Sequence, residues 1–355
     1  MKTLSLCLIV KNEEKTLPIS LKNAKIYADE IIIVDTGSTD NTKKVAQKFT
    51  DKIFDFAWQD DFSKARNYAF DLATGEYLMW LDADDFVPTE TANNIANWKN
   101  FDDDADVLLC PYITNFDKNL TPLFQFNRER IVKNQKRFRF HDRVHEVIVP
   151  SGKIVYKDEI KIYHNKKNHT YTTRNLDIYN KMIANGEKFT PRNQFYYARE
   201  LFFHQKYEEA IHAFSKFLAD GKGWAENNIE ACLNMAKCYM AIEEENKALS
   251  TLFGSFVYDL PRGEILYEIG NIYLKKQLWE SAIYYYKLAL SSAPNTKGGG
   301  FVNVDACTFL PALQLCFCYN KIGDNLTALH YHQISKNFKP DDEKVKYNDE
   351  YFKNL

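Results

Sequence analysis

The sequence predicts an α/β domain followed by an all-α domain, and three observations predict it. Residues 1 to about 165 alternate short apolar runs with amphipathic stretches, the pattern of strands separated by helices. Beyond residue 170 the strand-like runs stop and helical periodicity takes over. A chain of 355 residues also exceeds what one core commonly supports, so two domains of roughly 150 to 200 residues each are expected. The boundaries read as an α/β domain over 1–170, a helical connector over 171–190 and a helical repeat domain over 191–355.

In the first half the elements follow in order. Leu4 to Val10 is a continuous apolar run and reads as a buried strand. Glu14 to Tyr27 reads as a helix, Glu30 to Val34 as a strand, Asp40 to Phe49 as a helix and Lys52 to Phe56 as a strand. Asp61 is an N-cap for a helix that places Phe62, Ala65, Ala69 and Leu72 on one face. Tyr77 to Leu81 is the next buried strand. Over Phe138 to Glu146 an alternating strand with exposed His145 and Glu146 is the structural alternative to a functional segment, and Ile162 to His164 ends another strand.

Composition narrows the function. With 45% hydrophobic and 26% charged residues, 22 Tyr and 25 Phe, the chain is globular. A formal net charge of -2 gives no basic excess to neutralise phosphates, so a nucleic-acid partner is not expected. The apolar run at the start meets Lys11-Asn12-Glu13-Glu14 without a small-residue cleavage site, which makes it a poor signal peptide. No apolar stretch approaches the ~18 residues of a spanning helix. Seven cysteines without CxxC pairing fit neither a zinc site nor a secreted disulfide framework. A reducing cytoplasm is the expected setting, with a peripheral position at the inner face of the membrane as the alternative.

In the second half a pattern repeats. Ala198, Ala236, Gly270 and Cys316 are followed three residues later by Leu201, Tyr239, Tyr273 and Tyr319, and twelve residues later by Ala210, Ala248, Ala282 and Ala328. Tyr286, Ala289 and Pro294 continue the third unit, and Pro340 closes the fourth. The pattern resembles the tetratricopeptide repeat over about 190 to 340, with unequal spacing and an insertion containing Gly298-Gly299-Gly300. Its tyrosines and alanines read as interhelical packing. A stack of this kind offers a concave face to a peptide or partner chain, and a homodimer through the helical domain is a candidate assembly.

Chemistry is expected where apolar strands end, because ligands of open α/β sheets bind outside the carboxyl ends of the strands. Three polar clusters stand there: Lys11-Asn12-Glu13, Asp35-Thr36-Gly37-Ser38-Thr39-Asp40 and Asp82-Ala83-Asp84-Asp85. Gly37 suits a turn and Ser38, Thr39 or Asp40 a helix cap, which leaves Asp35 to accept hydrogen bonds from a ribose or base edge. Asp82 and Asp84 flank one small residue and can approach a single Mg²⁺ or Mn²⁺ from the same side. Such ions take few carboxylates and fill their remaining positions with water and substrate phosphate.

These residues resemble the inverting family 2 glycosyltransferases of the nucleotide-binding GT-A fold. The likeness runs through Ile-Val-Lys-Asn-Glu-Glu at 9 to 14, Ile-Val-Asp-Thr-Gly-Ser-Thr-Asp at 33 to 40, Asp-Phe-Ser-Lys-Ala-Arg-Asn at 61 to 67 and the DXD-type Leu-Asp-Ala-Asp-Asp at 81 to 85. It implies a Rossmann-like domain that binds a UDP-sugar. Val10, Asn12, Glu13, Asp35 and Gly37 would line the nucleoside side, with Arg66, Asp82 and Ala83 at the donor and Asp84, with Asp82 beside it, on manganese or magnesium. Thr36 departs from the second acidic residue that many relatives carry, which bears on base recognition. Phe138 to Glu146 resembles the segment closing the acceptor side in relatives with appended repeats. Glu146 is then the base, with His145 orienting it or competing for the role, and His164 resembles the late histidine that reaches metal or diphosphate. The expected activity is metal-assisted transfer of a hexose to a peptide- or protein-borne acceptor. Transfer to a surface polysaccharide or lipid-linked glycan, or a scaffold with a relic transferase fold, are the alternatives.

Overall fold

The computed structural model describes residues 1–101, 104–165, 172–294, 300 and 302–354. It divides into two compact units, Met1–Lys188 and Phe189–Leu355.

The first unit is built on a mixed sheet. Its strands are β1 (Leu4–Val10), β2 (Glu30–Asp35), β3 (Ile53–Asp55), β4 (Tyr77–Asp82), β5 (Asp85–Phe86), β6 (Val107–Phe116), β7 (Pro122–Lys133), β10 (Ile154–Tyr156) and β11 (Ile162–His164); β8 (Phe140–His141) and β9 (Val147–Ile148) form a separate small hairpin. The order across the sheet is β3-β2-β1-β4-β7-β6-β11-β5, with β10 beside β6. The first four of these are parallel, with helical crossovers joining β1 to β2, β2 to β3 and β3 to β4, whereas β7 runs antiparallel to both β4 and β6. Register aligns the strand ends: Val10 pairs with Asp35, and Ile9 with Asp82. The polar clusters after β1, β2 and β4 therefore share one rim.

Alternate residues of the central strands feed two cores. Leu4, Leu6, Leu8, Ile33, Met79 and Leu81 pack with Leu17, Tyr27, Ile95 and Trp98 on one face, while Cys7, Ile32, Val34, Leu78 and Trp80 meet Ala69, Phe70 and Phe140 on the other. Burial on both sides explains why these strands read as continuous apolar runs. The helices are α1 (Leu17–Ser20), α2 (Ala24–Tyr27), α3 (Thr42–Ala46), α4 (Phe62–Leu72), α5 (Thr89–Trp98) and α6 (Arg174–Ala184). Asp61 caps α4, its carboxylate accepting from the Lys64 amide at 3.0 Å.

Two expectations change. The single helix over 14–27 is two short turns, α1 and α2; between them Asn23 donates to the Val87 carbonyl at 2.9 Å, so a side-chain contact to the β5–α5 loop replaces a continuous helix. The alternative strand over 138–146 is also cut to Phe140–His141. Phe140 pairs with Ile148 and His141 with Val147, which leaves 142–146 as the tip of a hairpin with Asp142 and His145 at positive φ. The helix α6, which falls in the segment read as a connector, belongs to the first unit.

The second unit is helical: α7 (Pro191–Phe203), α8 (Tyr207–Ala219), α9 (Ala225–Ala241), α10 (Glu245–Gly254), α11 (Gly263–Lys275), α12 (Trp279–Ser291), α13 (Phe309–Lys321), α14 (Asn325–Phe338) and α15 (Glu343–Lys353). The successive pairs α7/α8, α9/α10, α11/α12 and α13/α14 are TPR-like hairpins. Ala198, Ala210, Ala236, Ala248, Ala282 and Ala328 are all buried at the crossings. Gly270 shows why small residues are needed, since a Cβ there would lie 2.6 Å from the Tyr286 ring. The tyrosines stack between helices, with Tyr273 on Tyr285 at 5.4 Å and Tyr319 on Tyr331 at 5.5 Å between ring centroids. Gly298 and Gly299 of the glycine insertion lie outside the described residues.

Candidate active site

A cavity of about 550 Å³ opens at the aligned strand ends of the first unit. Val10, Glu13, Arg66, Asp82, Ala83 and Asp84 line it from the strand ends and α4; His145, Glu146 and His164 line it from later in the chain. Asn12, Asp35 and Gly37 are not among its lining residues. They knit the two loops behind it: the Asn12 amide donates to Ser38 Oγ at 2.9 Å, and the Asn12 side-chain oxygen accepts from the Thr39 amide at 2.8 Å. Asp35 Oδ1 accepts from the amides of Gly37 and Ser38 at 2.8 and 2.7 Å. That turn holds Gly37 at φ +105°, a conformation that a Cβ would strain. Asp35 Oδ2 is buried with no hydrogen-bond partner among the described residues. A buried, unsatisfied acceptor is costly, and an imide or hydroxyl donor from a ligand would satisfy it.

Arg66 organises the middle of the cavity. It sits one turn into α4, and the start of that helix is tied to the β8–β9 hairpin because the Phe62 amide donates to the Arg143 carbonyl at 2.9 Å. Its guanidinium donates through Nε to Glu146 Oε1 at 2.6 Å and through Nη2 to Asp82 Oδ1, and lies over the Trp80 ring at 4.8 Å. Burial pushes the Asp82 carboxyl up, but Arg66 and then Arg130 outweigh it and hold the group well below the usual carboxylate range. One arginine thus links the residue read as donor-side carboxylate to the residue read as base. Glu146 is 11% exposed, so the exposed strand position read from the sequence is in fact a half-enclosed wall.

The acidic turn continues differently. β5 pairs antiparallel with β11, setting Asp85 opposite His164, and the Asn165 amide donates to the Asp84 carbonyl at 2.8 Å. Asp84, Asp85 and His164 each offer a ligand atom within 4.8 Å of the others. His164 Nδ1 is 3.3 Å from Asp85 Oδ1 and 3.5 Å from Asp84 Oδ1. Burial raises the Asp84 carboxyl, and Asp82, Asp85 and Glu13 raise it further against the pull of His164. An excess of carboxylate at one point, with carboxylate oxygens and one imidazole as the donors, is the chemistry that suits Mg²⁺ or Mn²⁺.

Sequence reasoning assigned no role to Asp85, Arg130 or the cavity's Arg128 and Arg174. The adjacent pair Asp84-Asp85 was visible, but only the β5–β11 pairing shows that the two face different surroundings. Arg128 and Arg130 occupy a strand whose pairing is irregular, and nothing in the local sequence announces that irregularity.

Residues 5–162 match the family model of glycosyl transferase family 2. Among curated relatives, the SPbeta prophage-derived glycosyltransferase SunS of Bacillus subtilis is 28% identical over 267 residues, covering 71% of this chain and 61% of that protein. A TPR repeat-containing protein of Synechococcus elongatus is 45% identical over 85 residues, 24% of this chain and 21% of its own. S. aureus TarS 1-349 in complex with UDP-GlcNAc superposes with a TM-score of 0.41 at 14% identity, covering 95% of this chain and 92% of that one. The match to glycosyl transferase family 2 lies within the first unit of the chain, and TPR-like hairpins follow it. The chain spans 61% of the length of SunS.

Proposed function

We propose that the protein transfers a hexose from a UDP-sugar to a peptide- or protein-borne acceptor with inversion at the anomeric carbon, and that a divalent cation assists. The observation that carries this reading is the single cavity in which Asp84, His164, Arg66 and Glu146 converge. The family-model match over residues 5–162 supports it, and the orphaned Asp35 oxygen supports a nucleoside on the rim.

Asp84 and His164 would hold the manganese or magnesium ion, with Asp82 beside them. When bound, such an ion offsets the negative charge that develops on a departing diphosphate. Arg66 contributes the same kind of stabilisation from a buried position, where a fixed cation acts more strongly than in water. The acceptor's hydroxyl or thiol attacks the anomeric carbon from the face opposite the diphosphate. Its proton passes to the Glu146 carboxylate, and the electron pair of the breaking bond leaves with UDP. His145, at φ 53°, shapes the hairpin tip that carries this carboxylate. The TPR-like unit supplies the reason for a polypeptide acceptor, because stacked hairpins offer an extended surface to a chain. A cytoplasmic setting agrees with the buried free cysteines, and among the described residues no helix is long and apolar enough to cross a membrane.

The test is incubation with a panel of UDP-hexoses, Mn²⁺ or Mg²⁺, and a peptide library, read as a hexose mass added to peptide together with released UDP. Release with one donor and a matching mass shift is expected. UDP release without any modified peptide would remove the polypeptide acceptor while leaving the transferase.

A further inference from the structure

Arg130 is a fully buried arginine on the strand β7. Its place there depends on a bulge: Leu108 pairs with Ile131 and Leu109 with Glu129, so Arg130 is the extra residue between two ladder positions. A bulge of this kind re-aims a side chain. The guanidinium lies between two aromatic faces, 3.9 Å from the Trp80 centroid and 4.1 Å from that of Tyr112. Nη1 donates to Asp85 Oδ2 at 3.1 Å and to the Trp80 carbonyl at 3.3 Å, while Nε and Nη2 are buried without hydrogen-bond partners among the described residues. For stability alone this is a poor use of the volume, since a buried ion pair is often replaced by apolar residues without loss.

The partner explains the expense. Asp85 is itself fully buried, and both its oxygens are engaged. Oδ2 takes Arg130 and the Asp82 amide at 3.1 Å; Oδ1 takes the Tyr112 hydroxyl at 2.9 Å and faces His164 Nδ1 at 3.3 Å. A carboxylate offers about four acceptor positions, so these contacts leave Asp85 little capacity to bind an ion. It is placed instead to hold the residues around it. A carboxylate can only accept, so the His164 contact requires the proton on Nδ1, which in the neutral imidazole puts the lone pair on Nε2.

We propose that Arg130 is a positioning residue that acts through Asp85, fixing the tautomer and orientation of His164 and the entry of the acidic turn. Asp85 is the backing carboxylate of the site, and Asp84 and His164 are the residues that present donors to a cation. This rests on the donor-site reading given above, but the tautomer of His164 can be measured apart from it. The stacked, planar contact with two rings requires arginine; lysine keeps the charge and loses the stack.

The full chain, ¹⁵N-labelled at histidine, is examined by NMR at alkaline pH, with His164→Gln used to assign the His164 signals. Wild type is expected to show the Nδ1–H tautomer. Arg130→Met combined with Asp85→Asn removes both buried charges, so it is the variant best able to fold, and circular dichroism checks that it does. In it His164 is expected to shift toward Nε2–H, and affinity for Mn²⁺ in the presence of UDP is expected to fall by about 10- to 100-fold. Arg130→Lys is expected to fall between the two. An Nε2–H tautomer in wild type, or an unchanged tautomer in the folded double variant, overturns the proposal. A tautomer that shifts as expected between wild type and the double variant, when wild type binds no Mn²⁺, supports the positioning role and contradicts the cation reading.

Discussion

Asp82 and Asp85 stand three residues apart on one turn and each meets an arginine, yet the two pairs are built for different work. Asp82 is 33% exposed at the cavity wall, and its partner Arg66 is shared with Glu146. Asp85 and Arg130 are both at 0% exposure, and Arg130 is sealed between Trp80 and Tyr112. The first pair can exchange partners when a charged substrate enters. The second can only be kept or broken. A short acidic motif therefore holds both a carboxylate open to the cavity and a sealed one, and their surroundings separate the two.

The largest expected effect falls on the open side of that comparison. Glu146→Gln removes the proposed proton acceptor and should lower transfer by about 10²- to 10⁴-fold with donor affinity unchanged, measured by single-turnover transfer beside calorimetric donor binding. Near-native turnover would assign the base elsewhere. Next comes the sealed pair. Asp85→Ala strands the Arg130 charge and should cost about 3–5 kcal/mol in urea unfolding. The smallest effect sharpens the contrast: Asp82→Asn leaves Arg66 paired with Glu146 and should change stability by about 1 kcal/mol or less. Equal losses in Asp85→Ala and Asp82→Asn would abolish the distinction between the two arginines.

Much of this was legible in sequence because it depends on local pattern. The apolar runs at Leu4–Val10 and Tyr77–Leu81 mark strands that are buried on both faces, and Asp61 followed by spaced apolar residues marks α4. Small residues recurring at helical spacing mark the hairpins, because close crossings leave no room for larger ones. What sequence could not show depends on pairing between distant segments. The bulge at Arg130 exists only in the register of β7 against β6, and the burial of Asp85 only in the pairing of β5 with β11. Asn23 divides the helix expected over 14–27 through a contact more than sixty residues away. The alternative of an exposed strand over 138–146 fails for a related reason: alternation there continues through a hairpin tip, whose backbone at Asp142 and His145 adopts positive φ.

The central claim is that the acidic turn and His164 bind a cation that serves a nucleotide-sugar donor. Its most direct test is UDP release from a panel of UDP-hexoses by wild type and Asp84→Ala, with Mn²⁺ titrated from zero. Wild type should release UDP from at least one donor in a saturable, Mn²⁺-dependent manner, and Asp84→Ala should lose about 10²-fold or more of that rate. Equal release by both proteins, independent of Mn²⁺, would contradict the account.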